Sequence, residues 1–179
     1  MSLRSNRINM IGAIGYLLSA FFTIIGLAMM GSFYVSIAAV IMVSVFSLIA
    51  TFLVLSYFFC MASATKDTMI KYGGFIAGGG YAILLLVVLV QLMGIFASAL
   101  SLIGVIAAIA GAAIVVYRFM QRFKRDSIIV VLCIISFIGM LLSFIGLFTG
   151  SIISGIGDLF MGAGMGSLLL YFRSHNIFC

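Results

Sequence analysis

Along its length the chain is apolar ground broken by a few charged islands. Between Arg7 and Lys66 lie 58 residues without a charge, and between Lys71 and Arg118 lie 46 more. A third run of 46, between Asp126 and Arg173, is interrupted by Asp158 alone. As a single helix, 46 residues would extend roughly 69 Å at about 1.5 Å per residue. The hydrocarbon core of a bilayer is only about 30 Å thick. Each run therefore predicts two crossings, out and back. The runs lack the alternation of a membrane β-strand, so the crossings are read as helices.

Turn residues place the reversals. Gly31-Ser32-Phe33-Tyr34 divides the first run, residues 94–98 the second and Thr149-Gly150-Ser151 the third. The predicted helices are 8–30, 35–61, 75–93, 97–117, 127–148 and 152–172. The fold class that follows is an all-α membrane protein. Its six transmembrane helices form three helical hairpins, within one polytopic unit over residues 1–179. Three double crossings return the chain to one side each time. That side collects Arg4, Arg7, Lys66, Lys71, Arg118, Arg122, Lys124, Arg125 and Arg173. Basic loops stay in the cytoplasm, so both termini are expected there. The expected location is the plasma membrane, with an organellar inner membrane as the alternative.

Composition agrees with this pattern. The chain is 66% hydrophobic and 7% charged, where a soluble domain is about half apolar and about a quarter charged. A globule of this size has too little interior to hide so much apolar surface. Disordered, collagen-like and disulfide-scaffold classes are excluded on the same grounds. Arg4 and Arg7 ahead of an apolar run would suit a signal peptide, but the run from Ile8 to Met30 is too long for one. A retained first helix is expected. Cys60, Cys133 and Cys179 lack metal-ligand spacing and fall toward the reducing side, so free thiols are expected. Neither a prenylation box nor a myristoylation glycine is present.

In lipid, helices associate through close contact, which small residues permit. Ser154, Asp158, Gly162 and Gly166 recur every fourth residue on the sixth predicted helix. Gly104, Ala108 and Ala112 do so on the fourth, Gly74 and Gly78 on the third, and Gly139 with Ser143 on the fifth. These stripes predict packing within the chain or a docking surface for another subunit. With no proline present, Gly78-Gly79-Gly80 is the one candidate helix break. The triplets Tyr57-Phe58-Phe59, Tyr117-Arg118-Phe119 and Tyr171-Phe172-Arg173 end the three runs. They fit a tandem triplication, or simply the preference of tyrosine for interfaces.

Chemistry-bearing residues are few. Asp158 is the only charge inside a predicted span, and intramembrane charges often mark function. The alternative is a carboxylate near the outer interface, favoured by the helix N-terminus. Gln91 is the strongly polar intramembrane residue that could partner it. Arg118, Arg122, Lys124 and Arg125 form the densest cluster, suited to anionic head groups or an acidic partner. Nucleic acid is excluded, since the basic residues form no groove or stripe. His175 is the only histidine and glutamate is absent. Catalytic dyads, metal clusters and phosphate loops are therefore missing, and neither enzymatic activity nor a cofactor is expected.

Three roles follow. The first is a non-catalytic integral subunit of a larger membrane-protein complex, or a homo-oligomer, in contact with the lipid bilayer. The second is a small transporter or channel with Asp158 in its pathway, joined by Gln91, Ser44, Ser47, Thr51, Ser136 and Ser143. The third is a membrane-shaping or envelope protein.

Overall fold

The computed structural model describes residues 3–30, 37–92, 98–175 and 177. They form six α-helices: α1 (Leu3–Met30), α2 (Ile37–Ala64), α3 (Thr68–Leu92), α4 (Ser98–Arg122), α5 (Ser127–Thr149) and α6 (Ser151–Ser174). Each contains an apolar span of 23 or 24 residues. At about 1.5 Å per residue this is about 35 Å, enough to cross a bilayer with some tilt. The chain is a multi-pass α-helical membrane protein. The predicted turns at Gly31-Ser32-Phe33-Tyr34 and 94–97 lie outside the described residues. The third turn is a single residue, Gly150, with φ of 132°. Its N–H donates to Gly146 O at 3.0 Å, which closes α5. A side chain would be strained at that φ.

Three helices run well past the bounds their charges suggest, the first being α1, which starts at Leu3 rather than 8. α3 starts at Thr68 rather than 75, and α4 continues to Arg122 rather than 117. The extra turns carry Lys71, Arg118 and Arg122, whose long stems let the charges reach water while the helix continues. Gly78-Gly79-Gly80 causes no break, and α3 is helical throughout.

Among the described residues, each helix packs on its neighbours in the chain, and α1 also packs on α6. No other pair brings its backbones together, though side chains meet across the middle, as Phe119 of α4 does with Phe172 of α6. The six helices therefore close into a ring in sequence order. Neighbours run antiparallel. Gly146 meets Ser154 while Gly139 meets Met161, and Gly80 meets Ala108 while Gly111 meets Ala77.

Small residues set the spacing. A Cβ at Gly139 would lie 2.8 Å from Gly157 O, and one at Gly111 would lie 2.6 Å from Gly73 O. At these seams backbone lies on backbone, where dispersion contacts replace the missing hydrophobic drive. Gly104 and Ala108 turn toward α3, and Gly74 and Gly78 toward α2. Gly162 and Gly166 face Ala20 and Leu17 of α1, Ser154 faces α5, and Ala112 is buried in the core. The outer surface is apolar on every helix, with Phe21, Phe52, Tyr72, Ile103, Phe148 and Ile152 all exposed. This is the surface that lipid requires.

Candidate functional site

The ring is filled at one end and hollow toward the other. Tyr57, Phe58, Met61, Phe119, Leu168 and Phe172 are fully buried in the half nearer the basic segments. Phe58 is the pivot of this plug. The Tyr16 ring meets it edge-on with centroids 6.3 Å apart, and Tyr81 stacks on it at 5.8 Å. Beyond these tyrosines lies a cavity of about 180 Å³. All six helices line it, through Tyr16, Thr51, Tyr81, Ala108, Ser143 and Asp158 in chain order.

Asp158 sits on this axis. It lies about 10 Å into α6, counted from Ser151 at about 1.5 Å per residue. That is beyond the first turn, where the helix dipole acts. Ser143 Oγ donates to Asp158 Oδ1 at 2.8 Å. Gly157 makes the reach possible, since a Cβ there would fall 2.5 Å from Ser143 Oγ. Among the described residues, Oδ2 has no hydrogen-bond partner. The single ion pair among them is Arg118 with Asp67, elsewhere in the fold. Gln91 falls on α3, but its side chain lies outside the described residues. A carboxylate at the centre of a membrane helix costs about 2.5–3.5 kcal/mol or more. Asp158, nearer the start of its helix, faces a smaller share of that cost, and one hydroxyl offsets only part of it.

Tyr16 adds a second unmet group. Its hydroxyl is fully buried and accepts or donates no hydrogen bond among the described residues. The Tyr81 phenol is its polar neighbour, near enough to interact with it and with Asp158, but the pair falls short of the geometry of a formed hydrogen bond. An unsatisfied buried hydroxyl costs about 1–3 kcal/mol. Sequence reasoning passed over both tyrosines, because it reads tyrosine as an interfacial anchor, although each falls near the middle of its helix. Their depth is visible only once the helices are in register. Of the proposed pathway hydroxyls, Thr51 lines the cavity and donates to Ser47 O. Ser136 is buried on the α5–α6 seam beside Gly164, and Ser44 and Ser47 are exposed on α2.

The basic end is a separate polar layer. Asp67 Oδ1 accepts from Met69 N at 3.0 Å and Ile70 N at 3.4 Å, while Oδ2 accepts from Arg118 Nε at 2.7 Å. Asp126 repeats the arrangement. Its Oδ1 caps α5 through Ile128 N and Ile129 N, and its Oδ2 accepts from Tyr171 Oη at 3.0 Å. Each aspartate thus starts one helix and grips the end of the next. An Asp before Thr or Ser and an apolar run is a helix-start signal, and it was present in the sequence. Asn9 Nδ2 donates to Ile177 O at 3.1 Å, so the segment after α6 meets the start of α1. The basic cluster divides. Arg118 is held by Asp67 and Gln121, the Arg122 guanidinium lies 5.6 Å from the Phe123 ring, and Arg122, Lys124 and Arg125 are exposed. Cys60 and Cys133 are free thiols.

Burial pushes the Asp67 carboxyl up, but the hydrogen bond and charge of Arg118 and the capping N–H groups outweigh it. The group lies below the usual carboxylate value. A depressed carboxylate stabilises the fold above its unfolded pKa of about 3.9 and loses that contribution as pH falls further. Asp67→Ala is therefore expected to cost about 1–2 kcal/mol at neutral pH, from a lost cap and a partly exposed ion pair. Thermal melts in detergent should show the gap between parent and variant constant near pH 7 and closing below about pH 3.9. A gap that widened in acid would refute the assignment.

No family model, curated protein or solved structure matches the chain. The fold alone gives the class, a multi-pass helical membrane protein with a largely apolar cavity on its axis that holds a carboxylate.

Proposed function

We propose that this protein is a small transporter or channel that takes a small cationic solute into its central cavity at Asp158. In this reading the chain forms three helical hairpins with both termini in the cytoplasm, since the basic segments cluster at one end. The plugged half then faces the cytoplasm and the cavity belongs to the opposite half. The role is non-enzymatic. One observation carries it: six helices close around a cavity holding a carboxylate that has neither a cation nor a capping N–H among the described residues, only the Ser143 hydroxyl. A packing element has no need of an uncompensated charge, because such groups in membranes mark ion or substrate pathways.

The test is uptake into proteoliposomes containing only this protein. Potassium and methylammonium uptake should exceed that of empty liposomes and should compete with each other. Uptake of neither would sink the reading.

The accessory-subunit role draws on a different observation. The α4–α5 seam is the thinnest in the ring, and an apolar groove of about 160 Å³ runs along it, lined by Tyr117, Met120, Ile134 and Phe137 among others. A partner helix in that groove would make the protein migrate as a larger complex in native gels after mild solubilisation. Migration as the isolated chain would count against this role.

A further inference from the structure

We propose that the ligand of the axial cavity is a primary ammonium ion on an apolar body about the size of one aromatic ring. This deepens the solute-pathway reading and rests on it. The argument starts from unmet hydrogen-bonding groups. Ser143 occupies Asp158 Oδ1, which leaves Oδ2 as an acceptor with formal negative charge. The Tyr16 hydroxyl is buried on the cavity wall without a formed hydrogen bond, and the Tyr81 phenol lines the same wall within electrostatic reach of both. These are three oxygens, one of them anionic, on three different helices. A primary ammonium presents three N–H donors and one positive charge, which matches that set in number and in sign.

The remaining lining selects the rest of the molecule. Besides the hydroxyls of Ser19, Thr51 and Ser154, of which Thr51 already donates to Ser47 O, it is apolar: Val54, Leu84, Val105, Ile109 and Met161 offer no hydrogen bonds. A sugar or other polyol would leave most of its hydroxyls unsatisfied against them. A divalent cation takes six or more oxygen ligands, usually with several carboxylates. Among the described residues no group of three histidine, cysteine or acidic side chains comes together. An anion would meet Asp158. A quaternary ammonium balances the charge but brings no N–H for the phenols. Size follows from volume. The cavity holds about 180 Å³, and an apolar protein cavity of about 150 Å³ accommodates benzene.

The experiment uses the full-length protein in nanodiscs, titrated calorimetrically with three probes against empty nanodiscs. The probes are benzylammonium, benzyl alcohol and benzyltrimethylammonium. Benzylammonium should bind at least roughly tenfold tighter than either of the others, the ratio expected when a charge-assisted hydrogen bond is removed. Tyr16→Phe should weaken benzylammonium roughly five- to tenfold. The same change should leave benzyltrimethylammonium unaltered and the melting temperature no lower. Equal affinity for the amine and the alcohol, or for the amine and its trimethyl form, overturns the ammonium assignment. So does a Tyr16→Phe variant that binds benzylammonium like the parent. The solute reading survives these outcomes if potassium uptake into proteoliposomes persists. Failure of all cations to bind or cross removes the solute reading itself.

Discussion

Asp158→Asn is expected to abolish cation uptake while leaving the fold at least as stable as the parent. Asparagine has nearly the same shape, and its carbonyl oxygen still accepts the Ser143 hydroxyl that reaches Oδ1 at 2.8 Å. What disappears is the charge. A hydrogen bond to a charged group contributes about 1.5–3 kcal/mol, so affinity for a cation should fall roughly 10- to 150-fold. The fold, in contrast, loses a membrane-embedded carboxylate, with its share of a cost that reaches about 2.5–3.5 kcal/mol or more at a helix centre. The expected signature is a protein with an unchanged or raised melting temperature and no uptake. A carboxylate that merely holds α5 to α6 predicts the reverse pattern, a lowered melting temperature with uptake intact. Measuring both quantities on one preparation decides between them.

Gly139→Leu is expected to separate α5 from α6. A Cβ at that position would lie 2.8 Å from both Gly157 O and Met161 Cα. These are backbone atoms, which have no rotamer to retreat into. Overpacking a tight core costs about 1–3 kcal/mol, and a clash with helix backbone belongs at the upper end of that range or above it. The opened seam would also pull Asp158 from Ser143, so solute uptake should fall with stability. Gly79→Leu is the matched control, because a Cβ at Gly79 meets nothing within 4 Å. It removes a glycine from a helix interior, where glycine costs about 0.5–1 kcal/mol relative to alanine. Equilibrium unfolding in mixed micelles should therefore rank Gly79→Leu near the parent and Gly139→Leu well below it. Similar stability for the two variants would mean that the α5–α6 contact does not depend on its glycines.

Much of this architecture is written in the charges. Arg7, Lys66, Lys71, Arg118, Asp126 and Arg173 bound runs too long for one crossing, and six apolar helices follow from length alone. Helix ends were less legible. The aspartates at 67 and 126 fall between the predicted helices, while each is a cap that starts a helix and ties it to its neighbour. Glycine counting found one face of α6 and missed the other. Gly162 and Gly166 meet α1, while Gly157 and Gly164, outside that four-residue series, meet α5 at Ser143 and Ser136. A helix held between two neighbours carries two small-residue stripes, and a search for one period detects one of them. Asp158 was conspicuous as a lone charge. Its contact with Ser143, 15 residues away across the Gly150 turn, depends on register, as does the depth of Tyr16 and Tyr81. Register is set by packing at the seams, and no local pattern reports it.

The joining of α1 to α6 bears on how the molecule is made. Five emerged helices can assemble pair by pair into a horseshoe, but its two flanks find each other only after α6 leaves the ribosome. That segment seals the gap and at the same moment delivers the acidic side chain to a serine already in position. Biosynthesis thus brings in the charge of the sixth span together with the helix that closes the ring. A chain arrested before Ser151 would expose the Ala13, Leu17 and Ala20 flank of its first helix as well as the bare serine-lined edge of its fifth.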